Sequence, residues 1–341
     1  MTRSDPENAR VELRTPYLMF LGDAPDQLAA KTAAGVAHWR REQCLGQLRL
    51  PGCGADLGLP DLTIEEAADR GAKTVVVGIA NRGGTIAESW EEPLCRALEL
   101  GLDLAGGLHQ RLADVPRLAA LATRHGRRIS DVRHPDREFP IATGRRRRGK
   151  RLLTVGTDCS VGKMYTALAI EREMLRRGMN AEFRATGQTG ILISGAGVSV
   201  DAVIADFIAG AAEFLTPEND DDHWDIVEGQ GSLFHPSYAG VSLGLLHGAQ
   251  PDAIVLCHEP TRPHMRGLSG RPLPGLAECL EANLAAGRLT NPEIVCAGIS
   301  INTAGLSASL ADSLLSQTAD AFGLPCVDPV RGGVAMIVDR L

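Results

Sequence analysis

One stretch constrains this chain more than any other. Residues 152–163 read LLTVGTDCSVGK, a β-rich run followed by the G-x-x-x-x-G-K spacing, and helix-forming residues come next. In such a loop the glycines let the backbone curl until its N–H groups converge on a phosphate. The helix that starts there adds the positive end of its dipole. Lys163 adds a mobile charge for phosphate oxygens. Gly156, Thr157, Asp158, Cys159, Ser160, Val161, Gly162 and Lys163 are therefore the expected phosphate cradle. A loop of this kind works between a strand and a helix, so it predicts an α/β domain around it.

The residue after the lysine breaks the pattern. A loop that uses a magnesium nucleotide carries Ser or Thr there, because that hydroxyl ligates the ion. Here it is Met164, which has no oxygen to offer. Thr166 lies two residues on, about 200° around the helix, and is not expected to substitute. The loop suits the phosphate of a molecule such as coenzyme A better than Mg-ATP.

With 341 residues the chain exceeds one ordinary core, which predicts two domains. Residues 17–21, 74–79, 102–105 and 128–132 read as strands, with helices at 27–41, after the turn Asn81-Arg82-Gly83-Gly84, and near 115–125. The second half repeats the alternation, with strands expected at 152–155, 181–185, 225–228, 253–257, 293–301 and 325–327. Helices are expected at 163–177, 201–215, 275–286 and 309–322. Strands alternating with helices argue for parallel sheets. The expected architecture is a Rossmann-like N-terminal domain, 1–144, and a doubly wound parallel-sheet P-loop domain, 145–341. The basic run RRRRGKR at 145–151 marks the boundary, either as a solvated linker or as a patch that attracts a phosphorylated ligand.

Composition narrows the class. The net charge of −7 argues against a nucleic-acid binder. No apolar stretch is long enough to span a membrane, and the polar start MTRSDPENARVEL lacks a secretory core. The eight cysteines include no C-x-x-C pair, so neither a zinc site nor a disulfide framework is expected. A cytoplasmic protein with no metal is the expectation, and a homo-oligomer on the general habit of such enzymes.

Ligands sit beyond the carboxyl ends of strands in open α/β sheets, and three stretches follow strands there. DIVEGQGS, 225–232, places Glu228 near the cradle. RATGQTG, 184–190, offers Arg184, Thr186 and Gln188 as a wall of the same cleft. HEPTRPHMR, 258–266, packs two histidines and two arginines into nine residues. Arg184, Arg262 and Arg266 are candidates for carboxylates, and His264 for proton transfer. The prolines argue against aligned metal ligands.

GTDCSVGK together with VEGQGSLFHP resembles the D-glutamate N-acetyltransferase (DgcN-like) family, long known as an uncharacterised P-loop domain. Lys31-Thr32 with Gly35, the Gly83-Gly84 segment ending at Trp90, and Gly107-Leu108-His109 are similar to its N-terminal domain. The resemblance implies a Rossmann-like domain beside the P-loop domain. It also implies an acetyl-CoA-dependent enzyme that acetylates the amino group of a D-amino acid, typically D-glutamate, in a catabolic route. The residue roles are separate inferences. Glu228 or His264 would take the ammonium proton, backbone N–H groups at 229–232 would face the oxyanion, and acylation of Cys159 is a covalent alternative. The cradle also resembles that of dethiobiotin synthetase, which keeps the magnesium threonine. An ATP/Mg-dependent ligase or kinase, and a non-catalytic nucleotide- or CoA-binding module, are the competing readings.

Overall fold

The computed structural model describes residues 10–81 and 83–341. The polar N-terminal run up to residue 9 and Arg82 of the expected turn lie outside the described residues. The strands are β1 (Tyr17–Gly22), β2 (Cys44–Arg49), β3 (Thr74–Val77), β4 (Asp103–Gly106), β5 (Ile129–Asp131), β6 (Lys150–Gly156), β7 (Ala181–Arg184), β8 (Trp224–Val227), β9 (Ala253–His258), β10 (Val295–Ile301) and β11 (Cys326–Val327). The helices are α1 (Lys31–Trp39), α2 (Ile64–Asp69), α3 (Glu88–Glu99), α4 (Pro116–His125), α5 (Lys163–Arg176), α6 (Gln188–Ser194), α7 (Ile208–Leu215), α8 (Ala239–Ala249), α9 (Leu276–Arg288), α10 (Ala308–Phe322) and α11 (Ala335–Val338).

The chain forms two compact units. The first-sheet unit holds residues 10–136 and, after an excursion, Gly187–Ala202. Its sheet has the order β2-β1-β3-β4-β5, with every pair parallel. All six residues of β1 are buried, as a central strand covered on both faces requires. Trp90 of α3 packs edge-on against Phe20, with ring centroids 5.9 Å apart, and its indole N–H donates to Asp23 at 2.8 Å. Thr63 and Glu66 form a reciprocal capping box that starts α2. Strand β2 was not expected from the sequence, and the 27–41 helix begins only at Lys31. Helix α6 joins this unit by docking on α1. Thr189 donates to Thr32 at 3.3 Å, and Arg40 donates to the Ile193 carbonyl at 3.1 Å.

The second-sheet unit comprises Arg137–Thr186 and Val203–Leu341. Its sheet runs β11-β10-β9-β6-β8-β7, again all parallel. The α/β class expected from the sequence is therefore observed in both halves. A buried apolar core of Leu153, Val227, Leu246, Ile254, Leu256, Ile299 and Ile301 fills the sheet around β6. The expected helix 201–215 is interrupted, and only Ile208–Leu215 is α-helical. Helix α8 was missed. It packs on α7 through glycine, and a methyl group on Gly248 would lie 2.1 Å from the Ala209 carbonyl oxygen.

Four arginines of the basic run 145–151 have partners within the unit. Arg146 pairs with Glu293 at 3.0 Å and Arg148 with Glu218 at 2.8 Å. Arg147 donates to the Gly248 carbonyl at 2.8 Å, and buried Arg151 meets Asp252 at 3.5 Å. Arg147 and Arg151 tie the start of β6 to its neighbours, while Arg146 and Arg148 stay exposed, so the solvated reading holds for part of the run.

The edge strand depends on Asp328. Its carboxylate accepts from the Thr303 hydroxyl at 2.5 Å and from the N–H groups of Thr303, Val330 and Arg331. Burial alone would raise its pKa, but these bonds hold it below the ordinary value. A depressed carboxylate stabilises the fold above its unfolded pKa of about 3.9, and the contribution is lost as pH falls. Asp328→Ala is expected to cost roughly 2–4 kcal/mol near neutrality. In urea titrations the gap to the parent should shrink below about pH 4.

Candidate active site

Strand β6 lies between β8 and β9, with Leu152 opposite both Ile226 and Ala253. This register brings the loops after the three strands together at one edge of the sheet. Helix α5 begins at Lys163, directly after Gly162, which adopts a left-handed φ of 103°. Ser160 is also left-handed, at 55°. This is the strained curl that a phosphate-cradling loop needs.

Lys163 is buried, and its ammonium donates to the Asp158 carbonyl at 2.7 Å and to the Gly231 carbonyl at 2.8 Å. Burial lowers its pKa below the ordinary lysine value. The lysine thus bridges its own loop and the EGQGS stretch. Three further contacts join the same two motifs. Gly229 N–H donates to Thr154 Oγ1 at 2.9 Å, Ser232 Oγ donates to the Thr157 carbonyl at 3.1 Å, and Gly229 lies against the Lys163 stem. Met164 is partly buried. Thr166 is buried, with its hydroxyl engaged by the Gly162 carbonyl at 3.0 Å and Ser300 Oγ at 2.8 Å.

Glu228 follows β8 and is buried. Its carboxylate accepts from Thr186 N–H at 3.0 Å, while the Thr186 hydroxyl donates to the Glu228 carbonyl at 2.5 Å. These two expected residues are in contact. Of the histidines in 258–266, His258 touches the cradle, with Nδ1 at 2.9 Å from Thr157 Oγ1. Burial lowers its pKa, which favours neutral imidazole. His264 stands exposed on the loop.

The three arginines have different tasks from those expected. Arg184 is buried and pairs with Asp225 at 2.7 Å and Glu182 at 2.9 Å. Its guanidinium holds neighbouring strands together, which corrects its reading as a grip on substrate. Arg262 donates to Asp158 Oδ2 at 2.7 Å, to the Cys159 carbonyl at 2.7 Å and to the Ser160 carbonyl at 3.0 Å, and it pairs with Glu259. It bolts the 258–266 loop onto the cradle and has little capacity left for a ligand carboxylate. Arg266 lies at the rim, with its N–H on Asp158 Oδ2 at 2.7 Å and its guanidinium on Ser160 Oγ. Gln188 begins α6 in the first-sheet unit.

Ligand atoms of Asp158, Cys159 and His235 lie within 4.8 Å of one another. The group is poorly disposed to a cation. A carbonyl only accepts, so His235 Nε2 donates to Arg266 O at 3.1 Å, and Nδ1 accepts from Ser237 N–H at 3.2 Å. Asp158 already carries the Arg262 charge.

Family comparisons bear on the two-domain architecture. Residues 140–338 match the domain of unknown function described as the DUF1611_C P-loop domain, and residues 48–135 match its DUF1611_N Rossmann-like partner. A D-glutamate N-acetyltransferase of Tritonibacter scottomollicae is 57% identical over 96% of this chain and 99% of its own length. One of Pseudoalteromonas sp is 50% identical over 97% of this chain and 100% of its own. The chain belongs to the D-glutamate N-acetyltransferase family. A crystal structure of a DUF1611 family protein from Anabaena variabilis shares the fold, with a TM-score of 0.87 and 32% identity over 96% of this chain and 99% of that one. Among the described residues no helix is long and apolar enough to cross a membrane. Two features of this family member escaped the sequence reading: the Arg262 bolt and the His258 contact. The spacing of Asp158 from Arg262 carried no periodic signal that would have paired them.

Proposed function

We propose that this chain is an acetyl-CoA-dependent N-acetyltransferase whose acceptor is the amino group of D-glutamate, in D-amino-acid catabolism. The observation that carries the reading is the bridge made by Lys163. A buried ammonium tied to the P-loop and to Gly231 sits where a phosphate would be met, beside a helix start whose next residue, Met164, has no oxygen for magnesium. The names of the two relatives supply the acceptor and the acyl group.

Residues 156–163 would hold a phosphate of coenzyme A through backbone N–H groups and Lys163. The acceptor amine must first lose a proton, and its lone pair then attacks the thioester carbonyl. Glu228 takes that proton in this reading. It is buried at the strand end and next to Gly229, whereas His264 is exposed and would serve only with a shift of its loop. Gln230, Gly231 and Ser232 supply the N–H groups for the oxyanion, since the Gly229 N–H is held by Thr154 Oγ1. Collapse of the tetrahedral adduct breaks the C–S bond, and the second amine proton passes to the departing sulfur, so that coenzyme A leaves as its thiol and the neutral amide remains. The reading includes a cytoplasmic homo-oligomer, which light scattering would test.

The deciding experiment mixes purified protein, acetyl-CoA and D-glutamate, with and without a chelator, and follows thiol release and N-acetyl-D-glutamate by mass spectrometry. Product that is indifferent to the chelator is expected. Turnover only with Mg-ATP would replace this reading by the ligase or kinase, and binding without turnover would leave a coenzyme-binding module.

A further inference from the structure

A narrow pocket opens beside the 229–232 segment, wholly within the second-sheet unit. Leu153 and Val155 of β6 and Leu245 of α8 give it apolar walls. Gln230 and Ser232 line it from the segment, and Asn283 of α9 lines it from the helical layer. Its interior leaves room for about one water-sized group. The walls are pinned to one another. Ser242 Oγ, from α8, donates to the Gln230 carbonyl at 2.6 Å, and Ser232 Oγ donates to the Thr157 carbonyl at 3.1 Å.

Asn283 is the unusual member. It is only 3% exposed, and the mechanism does not use it. Its Nδ2 donates to the Cys279 carbonyl at 2.8 Å, and because a carbonyl only accepts, this bond fixes which end of the amide is which. Oδ1 is then the polar atom that Asn283 has left for the pocket, and among the described residues nothing donates to it. A buried acceptor normally has a donor. The pocket therefore suits a small group that carries an N–H or O–H.

Covalent geometry ties the pocket to the reaction. In the tetrahedral adduct the attacking nitrogen and the oxyanion are bonded to one carbon. An oxyanion that accepts from N–H groups at 230–232 brings the nitrogen to the same residues, and Gln230 and Ser232 border this pocket. An amine head is water-sized, and apolar walls favour its neutral, nucleophilic form over the ammonium.

We propose that this pocket seats the acceptor amine and that Asn283 Oδ1 receives its retained N–H. The proposal rests on the acetyltransferase reading. Of the three ammonium protons, Glu228 takes one and the departing sulfur takes one. The third stays in the amide product, and Asn283 holds it throughout. That contact turns the lone pair of the nitrogen toward the thioester carbon.

The test uses the full chain and the variants Asn283→Leu and Asn283→Ala, with D-glutamate and N-methyl-D-glutamate as acceptors. Leucine keeps the volume and removes the acceptor oxygen, and alanine removes both. Thermal melts confirm folding. An N-methylated amine has no third proton, so the parent should prefer D-glutamate in kcat/KM by about tenfold or more, the worth of one hydrogen bond to a buried group. Both variants should lower kcat/KM for D-glutamate by about the same factor and narrow the preference to match, while KM for acetyl-CoA stays unchanged. A merely structural asparagine would leave that preference intact. Folded variants that keep the preference of the parent, or a parent that acetylates both amines equally, would overturn the amine seat, leave only water in the pocket, and leave the acetyltransferase reading standing. A parent that transfers acetyl to neither amine would overturn both.

Discussion

Lys163→Met is expected to lower acetyl-CoA affinity and kcat/KM by roughly 100-fold or more, the loss that follows if the ammonium makes two charge-assisted contacts of ~1.5 kcal/mol each to phosphate oxygens. The same change should leave thermal stability equal or higher. The ammonium is buried, its partners are carbonyls and not a carboxylate, and burial has pulled its pKa down. Methionine has similar length and removes the charge that must be desolvated. Function and stability should therefore move in opposite directions at one residue, as at other sites that hold a buried charge for a ligand.

The two properties should also respond oppositely to pH. In the window between the lowered folded pKa and the ordinary lysine value of about 10.4, the unfolded chain binds more protons than the folded one. Stability conferred at this residue then rises with pH across that window, and the gap to Lys163→Met closes. Phosphate affinity needs the protonated form and falls across the same window. Calorimetric titrations at several pH values, beside melts of the same samples, check both slopes. A parallel loss of affinity and stability in the variant would mean that Lys163 is a structural post.

Gly229→Ala is the second change with a large expected effect. The added methyl carbon would lie 1.6 Å from the Thr154 carbonyl oxygen, 2.8 Å from its carbon and 3.0 Å from Lys163 Cδ. Thr154 lies within β6, so nothing flexible can yield. The 228–232 segment must lift away, breaking the Gly229 N–H bond to Thr154 and carrying off the Gly231 carbonyl that holds Lys163. A loss of about 3 kcal/mol or more, typical of severe overpacking, is expected together with loss of acetyl-CoA binding. Gly240→Ala is the control. It lies in α8 with open space where its methyl group would stand, so alanine should be neutral or add up to about 1 kcal/mol through helix propensity. Denaturant titrations of the two variants measure the contrast, and a near-wild-type Gly229→Ala would show that β6 and the loop can separate freely.

The parts of the molecule that were legible in sequence are those with a strong local signal. Buried parallel strands such as TVVV at 74–77 are continuous β-branched runs, and the cradle is a fixed spacing between a strand and a helix. What escaped is held by tertiary contact. Helix α8 reads AGVSLGLLHGA, poor in helix formers, and exists because its glycines let α7 approach closely. Helix α6 begins in the stretch Thr186-Gly187-Gln188-Thr189-Gly190, whose glycines are poor helix formers. Strand β2, CLGQLR, lacks clean alternation and is fixed by pairing with β1. At the site, residue types pointed to the right loops, but partners decided the roles. Arg184 and Arg262 face acids more than 40 and 100 positions away in sequence, a pairing that no local pattern encodes.

The excursion of Gly187–Ala202 into the first-sheet unit has an evolutionary consequence. The chain leaves the second-sheet unit after Thr186 and returns to it at Val203, so neither unit is a continuous stretch of gene. A single recombination event at any point along the coding sequence hands over an incomplete body. Exchange of one half for a foreign domain would have to carry Gly187–Ala202 with the N-terminal stretch, which takes more than one crossover.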